Sequence, residues 1–175
     1  VLSLLALRSA QISYIILDTP GQIETFTWSA SGDIISSSLA LQHPTIVLYV
    51  IDTVRSAAPL TFMSNMLYAC SIMYKTRLPM ILVFTKSDAC TEQNGAAVVR
   101  TWLEDFDAFE TAIGSHLGFR GTLARSMGLA LSEFYEGVRS VAVSAVTGDG
   151  LDQLVVKIKE AVLEFDSEYR SEERR

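Results

Sequence analysis

Tyr14-Ile15-Ile16-Leu17-Asp18-Thr19-Pro20-Gly21-Gln22 is the stretch on which the reading of the fold turns. Its apolar, β-branched-rich opening predicts a strand buried on both faces, ended by an acid and a Pro-Gly turn. Thr45-Ile46-Val47-Leu48-Tyr49-Val50-Ile51-Asp52 also closes on an acid. Being apolar throughout, it predicts a central strand. Met80-Ile81-Leu82-Val83-Phe84 predicts a third buried strand running into Thr85-Lys86-Ser87-Asp88. Ser140-Val141-Ala142-Val143 predicts a fourth, running into Ser144-Ala145-Val146-Thr147-Gly148-Asp149-Gly150.

The segments between them have helical spacing. Residues 22–42 fit one or two helices, with a loop near Ser31-Gly32-Asp33 and a stop at His43-Pro44. Pro59 suits the first position of a helix, and Phe62, Met66, Ala69, Cys70 and Met73 recur along one face of it. That Met-rich stripe reads as core rather than as a partner surface. Lys75, Arg77 and Pro79 close the helix, with cations where its dipole favours them. From about residue 89 to 136 the composition changes. Trp102, Phe106, Phe109 and Ile113 recur at helical spacing among acids, Gly114, Gly118, Gly121 and Gly128 punctuate the middle, and Leu129, Leu131, Phe134 and Tyr135 form a further apolar face. This predicts two or three inserted helices. A last helix from about Leu151 turns Leu154, Ile158, Val162 and Phe165 inward, and its charged end over residues 166–175 frays into solvent.

Strands alternating with helices predict a doubly wound, mostly parallel α/β sheet with helices on both faces. The chain reads as one domain over residues 1–175 carrying the helical insert. Ligands of such sheets bind at the carboxyl ends of the strands, so Asp18, Asp52 and the loops at 85–88 and 144–148 should share one rim.

Composition narrows the ligand. The 175 residues are 49% hydrophobic, enough for a sizeable core, and the formal net charge is −6. Such a balance argues against a nucleic-acid or anionic-membrane partner. It leaves a nucleotide open, since backbone amides and a metal can hold phosphates. Cys70 and Cys90 form no metal-ligand or disulfide pattern, which fits an intracellular protein. Val1-Leu2-Ser3-Leu4-Leu5-Ala6-Leu7 lacks the length and preceding basic residue of a signal peptide and reads as the end of a helix. No apolar run approaches the roughly 18 residues of a membrane span.

Three loops carry chemistry. In Asp18-Thr19-Pro20-Gly21, the carboxylate can hold a hydrated Mg²⁺, and an amide without a side chain can approach a terminal phosphate. A strand-ending Asx turn gives the same pattern. In Thr85-Lys86-Ser87-Asp88, a carboxylate can accept both the ring N–H and the exocyclic amine of guanine. Adenine would leave it unpaired, a discrimination of roughly 10⁴-fold. Lys86 can lay its stem on base and ribose, and the Thr85 hydroxyl can tie the loop to its neighbours. An exposed charged loop is the plainer alternative. In Ser144-Ala145-Val146, a backbone N–H near Ala145 can donate to the guanine keto oxygen, while Ser144 or Thr147 can equally be a helix N-cap. Taken in order, each at a strand end, the three match the arrangement of a GTPase.

Several longer runs resemble one group, the Gly-Pro-Asn-loop (GPN-loop) GTPases. They are Asp18-Thr19-Pro20-Gly21-Gln22-Ile23-Glu24, Phe26-Thr27-Trp28-Ser29-Ala30-Ser31-Gly32, Thr61-Phe62-Met63-Ser64-Asn65-Met66-Leu67-Tyr68-Ala69-Cys70-Ser71, Glu133-Phe134-Tyr135 and Val143-Ser144-Ala145-Val146-Thr147-Gly148-Asp149-Gly150-Leu151-Asp152. The likeness is weakest between residues 89 and 128. It implies a P-loop NTPase-like fold that binds GTP or GDP with Mg²⁺ and hydrolyses GTP. It also implies that Asp18 organises Mg²⁺ through water, that the Gly21 amide senses the γ-phosphate, and that Gln22 and Glu24 position the attacking water. For Glu24, a helix N-terminal acid is an equal alternative. Lys86 and Asp88 would read guanine, with Thr85 where the family often has Asn, and Ser144 and Ala145 would form the keto-side turn. The resemblance further implies a homo- or heterodimer of GPN-loop proteins. It implies RNA polymerase II subunits or assembly factors as partners, and a cytoplasmic location with nuclear shuttling left open.

One departure counts against activity. The sequence holds no G-x-x-x-x-G-K-[ST] phosphate loop and no Gly-Pro-Asn triplet. The resemblance would place both, with a first strand, upstream of Val1. The 175 residues alone are then expected to be inactive and to leave a sheet edge prone to aggregation. Two other readings stand beside this one. The chain could be a non-catalytic module that binds a GPN-loop partner, or a deviant-Walker ATPase, which Thr85-Lys86-Ser87-Asp88 disfavours.

Overall fold

Three apolar runs become strands: β1 (Val47–Asp52), β2 (Met80–Thr85) and β3 (Arg139–Ala142). They pair in parallel in the order β1-β2-β3, with Val50 opposite Val83 and Val83 opposite Val141. The computed structural model describes residues 12–22, 28–90, 96–114, 134 and 137–169. Around the strands lie α1 (Ala30–Gln42), α2 (Thr53–Ser56), α3 (Pro59–Thr76), α4 (Ala96–Glu104), α5 (Phe106–Gly114) and α6 (Leu151–Glu164). The chain divides into two compact units, residues 1–45 and 46–175.

The second unit holds the α/β sheet. Successive strand residues point to opposite faces, so β2 sends Ile81 and Val83 one way and Met80, Leu82 and Phe84 the other. All five are buried, which makes β2 a strand covered on both sides. On the first face Ile81, Val83, Val141 and Val143 form one cluster with Ala161 of α6, joined by the half-buried Ile46, Leu154 and Ile158. The inward stripe of α6 thus follows Leu154, Ile158 and Ala161 to a fully buried Phe165, with Val162 only half-buried.

Helix α3 starts at Pro59 in its first turn and buries Phe62, Met66, Ala69 and Ile72. It stops where Arg77 turns left-handed at φ 53° and donates its N–H to Met73 O. Phe62, Trp102 and Phe109 pack edge to face at 5.1–5.6 Å, so aromatic rings join α3, α4 and α5. Helices α4 and α5 fall in the expected insert. Residues 115–133 and 135–136, including Gly118, Gly121, Gly128, Leu129, Leu131 and Tyr135, lie outside the described residues. So do residues 1–7, 23–27 and 170–175. Among the described residues no helix is long and apolar enough to cross a membrane.

Three expectations are corrected. Tyr14, Ile15, Ile16 and Leu17 are not a buried strand; all four are exposed, Ile16 at 88%, and they take no part in the sheet. Strand propensity is a fit to a pleated, half-buried surface, and a run without a ladder partner gains nothing from it. Among the described residues β1 is not central either. It lies at one end of the β1-β2-β3 order with Leu48 and Val50 exposed, because apolarity permits burial without fixing position in a sheet. Lastly, Ser31-Gly32-Asp33 is the first turn of α1 rather than a loop, since the Ser29 hydroxyl accepts from Gly32 N–H at 3.1 Å and caps the helix there.

Candidate functional site

The carboxyl ends of β1, β2 and β3 lie side by side, and the sheet's hydrogen bonding continues past them into the loops. Val143 N–H donates to Phe84 O at 2.8 Å, and Ser87 N–H donates to Val143 O at 3.2 Å. The loops after β2 and β3 are therefore held in register.

At the β1–β2 junction two threonines cross over. The Thr85 hydroxyl donates to Ile51 O at 3.0 Å, and the Thr53 hydroxyl donates to Thr85 O at 2.6 Å. Thr85 does tie its loop to a neighbouring strand, as its position in the sequence predicts. Thr53 is 1% exposed, and its valine isostere would leave the partly buried Thr85 carbonyl short of that donor. Thr53→Val is expected to cost the intact protein about 1–2 kcal/mol in urea unfolding. Unchanged stability would show that the cross-over contributes nothing.

After β2, Lys86 takes the left-handed conformation at φ 61° and a single 3₁₀ turn spans Ser87–Ala89. Asp88 is exposed, and one of its oxygens accepts from the Ser144 hydroxyl at 2.5 Å. Ser144 is fully buried. Its oxygen also accepts from Val146 N–H at 3.2 Å and Thr147 N–H at 3.1 Å. With both lone pairs engaged, the single hydroxyl hydrogen goes to Asp88. Neither Ser144 nor Thr147 is a helix N-cap, since Gly150 takes that position before α6; the Ser144 hydroxyl holds a turn instead, and the bond to Asp88 comes in addition. Among the described residues, neither the Ala145 N–H nor the second Asp88 oxygen has a partner.

The loop that presents Ala145 is closed by Gly150, at φ 77°, where a Cβ would stand 2.0 Å from Ala142 O. Thr147 and Asp149 brace it, the threonine hydroxyl donating to the carboxylate at 2.7 Å.

Thr85, Lys86, Asp88, Ser144 and Ala145 are thus brought together in the second unit. In the first unit Asp18 and Gly21 are exposed, and a Cβ on Gly21 would meet nothing within 4 Å. Gln22 is also exposed, and Glu24 lies outside the described residues. A hollow of about 300 Å³ opens beside Arg77, Pro79 and Arg139, and none of these candidate residues lines it.

Asp52 is the rim residue to which the sequence assigned no role. One of its oxygens accepts from Arg55 N–H at 3.3 Å and caps α2, while the other accepts from the Lys86 ammonium at 2.7 Å. The Lys86 hydrogen bond, helped by the Arg55 N–H and both cations, holds its carboxyl below the usual range despite some desolvation. A lowered carboxyl adds stability above its unfolded pKa and loses it as pH falls through the folded value, so the pair persists into mild acid. An Asp closing a strand three residues before Arg55 signals a cap. Nothing in the sequence signals a partner 34 positions away.

Comparisons with known proteins bear on the family and the fold. A family model described as "Conserved hypothetical ATP binding protein" matches residues 2–164. The chain is 48% identical over 172 residues to GPN-loop GTPase QQT2 of Arabidopsis thaliana, covering 98% of this chain and 44% of that protein. To GPN-loop GTPase 1 of Saccharomyces cerevisiae it is 44% identical over 182 residues, covering 98% and 46%. The chain therefore spans a little under half the length of the relatives it matches. A crystal structure of a GTPase in apo form from Pyrococcus abyssi superposes with a TM-score of 0.72, over 89% of this chain and 59% of that one. At 24% identity that likeness speaks for the fold alone, a parallel α/β sheet flanked by helices. With a family match running through nearly the whole chain and relatives of this similarity bearing one name, the chain belongs to the GPN-loop GTPase family.

Proposed function

We propose that these residues supply the base-reading loops and the Mg²⁺- and γ-phosphate-sensing segment of a protein that binds and hydrolyses GTP. The observation that carries the reading is the pairing of an exposed acceptor with an exposed donor on neighbouring loops. The Asp88 carboxylate is oriented by a buried hydroxyl, and the Ala145 N–H has no partner among the described residues. Guanine offers two adjacent donors to the first and a keto oxygen to the second. Lys86 lays its methylenes along the purine and ribose, and Thr85 holds the loop.

Asp18 would hold Mg²⁺ through water. An exposed carboxylate with no cationic partner among the described residues fits that outer-sphere role. When bound, the metal neutralises charge on the phosphates. The Gly21 amide faces the terminal phosphate in this reading, and the open space around its α-carbon is compatible with such an approach. Gln22 and Glu24 orient the attacking water. Dimerisation with a GPN-loop partner, a role in RNA polymerase II assembly and nuclear import, and a cytoplasmic location belong to the same proposal. They are supported by the family likeness.

Competition against labelled GDP in the intact protein tests the reading. GDP and GTP are expected to displace the label at concentrations roughly 10⁴-fold below ADP and ATP. Equal displacement by the adenine nucleotides would overturn guanine recognition and favour the ATP named in the description of the family model.

A further inference from the structure

We infer that Asp52 is a positioning residue for the base site. By anchoring the Lys86 ammonium it sets nucleotide affinity without meeting the nucleotide. The inference rests on the guanine-nucleotide reading above and extends it to a residue on a different strand.

Asp52 is itself held from several sides. Its backbone ends β1, one carboxylate oxygen caps α2, and the Thr53–Thr85 and Thr85–Ile51 hydrogen bonds lock the strand ends on either side of it. The other oxygen, aimed at the rim, takes the Lys86 ammonium at 2.7 Å. Lys86 starts from a left-handed backbone fixed between β2 and the 3₁₀ turn. Its four methylenes are therefore stretched between two fixed points, from the end of β2 to the end of β1.

A free lysine samples many rotamers, and a ligand that packs on its stem must immobilise them. Asp52 removes that cost in advance. The pair has little to offer the fold, since the Lys86 side chain is 62% exposed and exposed ion pairs contribute little to stability. Arg55 is a second cation near the same oxygen, but at 3.9 Å with a side chain 84% exposed it holds that oxygen less closely than Lys86 does at 2.7 Å.

The test is a cycle of GDP affinities and melting temperatures in the intact protein, for the parent, Asp52→Asn, Lys86→Met and the double variant. Asparagine keeps the cap and removes the anchor. Asp52→Asn is expected to weaken GDP binding about three- to tenfold. It should move the melting temperature by no more than about 2 °C. In the Lys86→Met background it should cause no further loss. Asp52→Glu keeps the charge and gives up the cap, so it should bind nearer to the parent than Asp52→Asn does. A purely structural cap would produce the reverse order. An unchanged affinity in Asp52→Asn, or an equal loss in both backgrounds, would overturn the inference. Asp88→Asn, run alongside, separates the two readings. If it fails to shift base preference, guanine recognition falls and the inference with it. If it shifts preference while Asp52→Asn is silent, only the anchoring role falls.

Discussion

Asp88→Asn in the intact protein is expected to exchange guanine preference for xanthine preference, changing the ratio of the two affinities about 10³-fold or more. The size of the effect follows from Ser144. Its oxygen already accepts from Val146 and Thr147 N–H, so its hydrogen must go to residue 88. An asparagine can meet that hydrogen only with its carbonyl oxygen. The amide is thereby turned so that its NH₂ occupies the place of the second carboxylate oxygen. A donor there opposes the exocyclic amine of guanine and complements the keto group that xanthine carries instead. Competition of XDP and GDP for the labelled site reads the ratio directly. An unchanged ratio would assign base reading to other residues.

Gly150→Ala is expected to destabilise the intact protein by about 2–5 kcal/mol, a large share of a typical folding free energy. Two costs add. The backbone sits at φ 77°, where a side chain is strained by about 1–2 kcal/mol. The new methyl would also stand 2.0 Å from Ala142 O and 3.2 Å from Val143 Cα, both backbone atoms at the end of β3. No side-chain rotation relieves such a clash, so the strand end or the loop must move, at about 1–3 kcal/mol. Gly148 is the internal control. It has φ 83°, but a Cβ there meets nothing within 4 Å, so alanine should cost only the strain. Urea unfolding of the two variants should differ by about 1–3 kcal/mol, and equal losses would show that packing against Ala142 is not the cause. Nucleotide affinity should fall in Gly150→Ala alone, because the displaced segment leads into Ser144 and Ala145.

The parts of the fold legible in the sequence were those fixed by near neighbours. Met80 to Phe84 is apolar because both its faces are covered, and Phe62, Met66 and Ala69 repeat at helical spacing because one face of α3 is inside. Pro59 and Arg77 mark the ends of that helix by local backbone chemistry. Tyr14 to Leu17 shows the limit. Four apolar residues state a preference for a pleated surface, whereas a strand exists only with a partner. Ser31 to Asp33 misled in the opposite direction, since small polar residues favour loops and helix caps alike, and the Ser29 cap decided the matter. In the site, the tie made by Thr85 could be foreseen from its place at a strand end. The anchoring of Lys86 on Asp52 could not, because it joins residues on separate strands and depends on register.

The cross-over of Thr53 and Thr85 bears on how information would flow through the proposed enzyme. Together with the Ser144 hub, it makes the proposed base-reading loops a template whose shape is set by the protein's own hydrogen bonds. In the proposed reading that template meets only the base and ribose of a nucleotide. It would therefore read the spent and the fresh nucleotide identically, vouching for the base and staying blind to elapsed time. Any clock the protein keeps has to be wound elsewhere.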